Sequence, residues 1–177
     1  AQRQRADQAL AEGVASLQDT LARVNGASSL FSGDLQALET LSKELAGTRK
    51  QVDERSLSGP EAVSWYTRRV EALVASIYAS AAQSPNLEFA GRIRTYAYLV
   101  SARDHTGRER NEVNAALQAD KPLGVAALER LVAAISRQDT YLNLYRESAP
   151  PDDVRALAGS LDAPEVKEAR RIREEVL

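Results

Sequence analysis

An all-α antiparallel bundle of long helices, closed by one or two short C-terminal helices, is what this sequence predicts, on three observations. Apolar residues recur at steps of three and four along most of its 177 residues. No segment shows the strict alternation of a half-buried strand. The 44% hydrophobic content is mostly Ala, Leu and Val with only 5% aromatic residues, a composition that suits closely packed helices.

The first helix spans about Gln2 to Val24, where Leu10, Val14, Leu17, Leu21 and Val24 form a coiled-coil-like seam and Arg3, Arg5, Asp7 and Glu12 an exposed face. The seam fades at Asn25-Gly26-Ala27-Ser28-Ser29, and a break is expected at Ser32-Gly33. Asp34 then caps a second helix through Leu35, Leu38, Leu41, Leu45 and Val52, with Arg49 one turn beyond Leu45. Ser58 and Glu61 stand at capping-box spacing and Pro60 fits a first helical turn, so a third helix starts there. Its buried face carries Trp65, Val70, Leu73, Val74 and Ile77. Ser84-Pro85-Asn86 ends it and opens a fourth helix that runs through Gly107 to about Leu117.

The loop Asp120-Lys121-Pro122-Leu123-Gly124 leads to a fifth helix bearing Leu128, Leu131, Val132, Ile135, Tyr141, Leu142 and Tyr145, which Pro150-Pro151 terminates. A short helix near Asp152 to Ala158 and a last one from near Asp162, with Pro164 and Glu165 in its first turn, complete the chain.

The fourth helix carries the chemistry of interest. Its heptad row Ile93, Tyr96, Val100, Arg103, Gly107, Arg110, Asn114 and Leu117 begins apolar, turns cationic and ends apolar. A buried guanidinium needs a partner, because desolvating the charge costs several kcal/mol, so this polar layer reads as a candidate anion site inside a helical bundle. The competing row, through Leu99, Ala102, Thr106, Val113 and Leu117, would face the core instead and leave both arginines at the flank with their heads in water. Periodicity does not choose between rows one residue apart. Gly107 marks a close backbone approach, a ligand or a kink.

Several function classes are poorly served by the composition. A formal net charge of -2, a pI near 5.6 and no long basic run argue against nucleic-acid contact. There is no Cys and no Met, and His105 is the single histidine, so thiol chemistry is excluded and metal binding is starved of ligands. His105, between charged neighbours, reads as a solvated surface group, and Trp65, Tyr66, Tyr96 and Tyr98 read as core. No catalytic constellation and no phosphate cradle appear, so the chain reads as a non-enzyme without a cofactor.

Length fits one domain over residues 1–177, and no apolar run reaches membrane-spanning length. Since the chain begins at Ala1 without Met and ends at Leu177 within a helical pattern, a piece of a larger protein is expected, with flanking membrane helices or a coiled coil.

Five separated stretches are similar to one family, the nitrate- and nitrite-sensing (NIT) domain. Arg103-Asp104-His105-Thr106-Gly107-Arg108-Glu109-Arg110 resembles its Lys-Glu-x-x-Gly-x-Glu-Arg signature, with Gly107, Glu109 and Arg110 matching as they stand. Arg49 to Asp53 resembles its Arg-x-x-x-Asp, Trp65-Tyr66-Thr67 its aromatic-Tyr-Thr, and Gln138 to Tyr141 its Gln-x-x-Tyr. The segment Pro164 to Arg173 is similar to its Val-x-Glu-Val-x-x-x-Arg. Two departures stand out. Arg23-Val24-Asn25-Gly26 has Asn25 where the family carries a second arginine, and the family's last, Trp-containing helix has no counterpart before Leu177.

The resemblance implies a sensory domain of a bacterial signalling protein that recognises a small oxyanion, nitrate or nitrite, through arginines between helices, and relays it by displacing the terminal helices. It implies the ligand residues Arg110, Arg49, Arg23 and Arg103, with Gly107 beside them and Asn25 as a neutral donor. It also implies a homodimer, no nucleic-acid contact by this domain, and an attached output module such as a histidine kinase of a two-component system or a chemoreceptor. An extracytoplasmic position in a membrane-anchored parent is expected, with a cytoplasmic one as the alternative. A planar nitrate with three acceptor oxygens suits the planar donor fork of arginine. The rival reading is a degenerate NIT-like bundle that serves as a dimerisation or spacer domain, or senses another ligand.

Overall fold

The structure is a computed structural model, and it describes residues 2–23, 28–119 and 123–177. Seven helices account for the described elements, with no strand among the described residues: α1 (Gln2–Arg23), α2 (Ser28–Asp53), α3 (Gly59–Gln83), α4 (Leu87–Ala119), α5 (Val125–Ser148), α6 (Pro151–Leu161) and α7 (Pro164–Val176). The chain divides into two compact units, Ala1–Ser76 and Ile77–Leu177, with α3 contributing to both.

Local chemistry sets most helix ends where the sequence places them. Ser58 and Glu61 form a reciprocal capping box: the Ser58 backbone N–H donates to Glu61 Oε2 at 2.9 Å, and the Glu61 N–H donates back to Ser58 Oγ at 3.4 Å. Asn86 caps α4 through Oδ1, which accepts from the Phe89 N–H at 3.0 Å. Pro151 and Pro164 each occupy the first turn of their helices. Arg55, just past α2, takes a left-handed φ of 56° as the chain leaves the helix.

The break expected at Ser32-Gly33 does not form, and α2 starts at Ser28 rather than at an Asp34 cap. One glycine costs a helix only about 1 kcal/mol. The loop at 120–122, and Val24 at the end of the first seam, lie outside the described residues.

In the first unit α1 and α2 run antiparallel, tied by a crossed pair of ion pairs. Arg3 donates to both carboxylate oxygens of Asp53 at 2.9 and 2.8 Å, and four residues along each helix Arg49 pairs with Asp7. Gln18 donates to Glu39 at 2.8 Å further along. On α3, Arg69 lies over the Trp65 ring at 5.3 Å and donates to Glu44 of α2 at 2.5 Å.

In the second unit α4 packs antiparallel on α5, with Glu112 paired to Arg130 near one end and Thr95 donating to the Ser148 carbonyl near the other. The core is built of small residues. Ala81, Ala90, Ala97, Ala102 and Ala134 are buried together with Tyr145, and Leu131 is the one large side chain fully buried among the described residues. The α5 face turned inward is Leu131, Ala134, Gln138, Tyr145, whereas Leu128 and Val132, expected in the core, are exposed. Trp65 is half-buried, Tyr98 half-buried, and Tyr66 and Tyr96 exposed, so the expected aromatic core is only partly formed.

The capping carboxylate predicts a pH dependence. Hydrogen bonds from Ser58 hold Glu61 below the usual carboxylate range. A carboxylate with a depressed folded pKa contributes stability that is complete above its unfolded value, about 4.3, and lost as pH falls through the folded value. Glu61→Gln should therefore melt lower than the unmodified protein at neutral pH, with the gap closing below about pH 4. Thermal melts across that range read it.

Candidate anion site and the polar cluster behind it

Arg103 and Arg110 project from one face of α4, seven residues and so about 10.5 Å apart along the axis, with Gly107 on the same face between them. Both side chains are exposed. The face continues at the same spacing into exposed Phe89, Tyr96 and Leu117.

The row bearing the arginines is not interior, and both heads are in water as the competing row has it, although of that row only Ala102 is buried. The buried residues of α4 are Ala90, Ala97, Ser101, Ala102, His105 and Glu109, which leaves the two arginines nearly half a turn from the middle of that face. A Cβ placed on Gly107 would meet nothing within 4 Å, so the space between the arginines is open and no close packing explains this glycine.

The acids that would neutralise these cations are occupied elsewhere. Asp104 accepts from Arg108 at 2.9 Å, and Glu109 from Arg173. Among the described residues Arg103 and Arg110 have no hydrogen-bond or ion-pair partner, while carrying full charge beside an uncrowded glycine. Two exposed guanidinium forks on one face are donors of the kind an oxyanion accepts from.

The other candidates are placed differently. Arg49, half-buried, is engaged with Asp7 of α1, and Arg23, exposed, with Asp19 one turn earlier on its own helix. Both belong to the first unit, and Arg103, Gly107 and Arg110 to the second. Asn25 lies outside the described residues.

On the opposite side of α4 is a polar cluster that sequence reasoning did not assemble. The Arg173 guanidinium of α7 donates to Glu109 Oε1 at 2.5 Å and Oε2 at 2.7 Å, and to Gln138 Oε1 of α5 at 3.0 Å. Gln138 in turn donates to Thr106, whose hydroxyl donates to the Ala102 carbonyl at 2.9 Å. The Glu109 and Arg173 side chains are 10% and 20% exposed, so this is a nearly buried, two-pronged ion pair.

Beside the cluster His105, buried rather than solvated as its charged neighbours suggest, stacks on Tyr141 with ring centroids 5.7 Å apart and planes 7° from parallel. Tyr98 joins Tyr141, and Tyr78 joins Tyr98 and lies 3.4 Å from the Ser101 hydroxyl. Burial pushes the Tyr78 phenol up from its ordinary value. The signals for the cluster were the stretches at 105–110, 138–141 and 164–173. What the sequence lacked was their mutual distance.

No described helix is long and apolar enough to cross a membrane. A family model described as nitrate and nitrite sensing matches residues 1–177. No curated protein and no solved structure matches the chain at a significant level.

Proposed function

Because the chain belongs to the nitrate- and nitrite-sensing (NIT) family, a family of sensory domains, we propose that it binds a small planar oxyanion through α4 and relays occupancy to an attached output module. The observation that carries this reading is the pair of unneutralised arginines, Arg103 and Arg110, flanking the open space at Gly107. Each guanidinium meets two nitrate oxygens with a planar fork, and two forks on one face are enough to orient the anion.

In this reading residues 1–177 work as one sensory domain. Arg49 and Arg23, which the family resemblance implies as ligands, are held by Asp7 and Asp19 within the first unit. Asn25 stands where the family has a second arginine, and exchanging that charge for a neutral amide predicts weaker nitrate binding than with the full motif. The domain performs no reaction, contacts no nucleic acid, and works as a homodimer in a membrane-anchored, extracytoplasmic position. The output is a kinase or chemoreceptor module, and the full-length gene product would identify it.

A second reading has its own support. Arg49 and Arg23 are already committed to carboxylates, and Asn25 removes a charge, as in a degenerate bundle kept for dimerisation or spacing. Isothermal titration separates the two. Saturable heat with nitrate or nitrite, and none with chloride or sulfate, is expected of the sensor. No heat with any of the four on the folded protein overturns it.

A further inference from the structure

We infer that Glu109, Arg173 and Gln138 form a latch that holds the C-terminal helix against α4 and α5, and that it is the point at which the state of α4 reaches α7; the second clause rests on the anion-sensor reading, the first does not.

Helix α7 has little else to hold it. None of its residues is buried, and Val166, Ile172 and Val176 are only half-covered. Its best-covered polar group is the Arg173 guanidinium, which makes three hydrogen bonds to two different helices. Their acceptors are themselves fixed: Gln138 is oriented by Thr106, and Thr106 by the Ala102 carbonyl. A fork that meets both oxygens of one carboxylate tolerates little change in angle, so a small rotation of α4 breaks it.

The adjacency of residues 109 and 110 supplies the coupling. Successive helical residues point about 100° apart, so Arg110 faces solvent while Glu109 faces α7. They share one rigid stretch of backbone. Any turn of α4 that draws Arg110 and Arg103 around an anion swings the Glu109 carboxylate relative to Arg173. A released Arg173 gains water, and α7 then has too little covered apolar surface to remain docked.

Hydrogen exchange on the intact chain tests this. Without nitrate, Glu109→Gln and Arg173→Lys should each speed exchange of the 164–176 amides about tenfold or more, as expected for loss of a charge-assisted bond, with α4 and α5 unchanged. Unchanged α7 exchange in both variants overturns the latch. So does a rise of α4, α5 and α7 together, which marks a structural pair whose loss loosens the whole unit. In unmodified protein shown by calorimetry to bind nitrate, the ion should alter α7 exchange, and the Glu109→Gln variant should lose that response while still binding. Binding with no change at α7 overturns the coupling. Absence of binding heat removes the sensor reading and the coupling with it, whereas the latch is decided by the nitrate-free exchange.

Discussion

Leu131→Ala is expected to lower the unfolding free energy by about 3–4 kcal/mol, a large share of the 5–15 kcal/mol that holds a typical domain. Leu131 is fully buried, and the buried apolar residues around the α4–α5 contact are mainly alanines. Alanine has no side-chain freedom with which to fill a hole, so the cavity left by three carbons persists and its cost adds to the lost transfer energy. Urea denaturation reads the effect as a lower midpoint at unchanged slope. Val132→Ala is the control. Although it is the adjacent apolar residue, Val132 is 47% exposed, and its truncation should change stability by no more than about 0.5–1 kcal/mol. Equal effects at the two positions would contradict the assigned face of α5.

Arg110→Ala is expected to weaken nitrate binding about 10–100-fold, the equivalent of one charge-assisted, two-pronged interaction, while leaving the melting temperature nearly unchanged. The second half follows from exposure: Arg110 has no partner among the described residues to leave behind. Arg49→Ala makes the informative contrast. It strips Asp7 of its partner, so it should disturb the α1–α2 pair whether or not an anion binds. Calorimetry and thermal melts on the same preparations separate the outcomes. If Arg110→Ala shifts the melt or the oligomeric state and leaves the nitrate heat intact, the spacer reading replaces the sensor.

Helix boundaries were largely legible because their chemistry is local. Ser58 with Glu61, Asn86 before α4, and the prolines at 151 and 164 act on residues three or four positions away. Ser32-Gly33 carries breaker residues, but their small cost is outweighed by the cooperativity of the long helix α2.

The facing of α4 was not legible. Its core row is alanine, serine, histidine and glutamate, which hydropathy does not mark as interior. Glu109 and His105 are buried only because Arg173, 64 residues onward from Glu109, and Tyr141 cover them. Resemblance to a motif marks Arg49 in the sequence. Its pairing with Asp7, and that of Asp53 with Arg3, needed two helices in register, which a single helix pattern does not supply.

The crossed strap of Arg3–Asp53 and Arg49–Asp7 has an experimental consequence. Exposed ion pairs weaken as ionic strength rises, with a Debye length of about 10 Å at 0.1 M salt, and three of these four groups are more than half exposed. Any titrated salt therefore loosens the first hairpin by screening alone, nitrate and chloride to similar degrees. Measurements of a weakly bound anion on this protein belong at constant ionic strength, where only the difference between salts of equal concentration reports recognition.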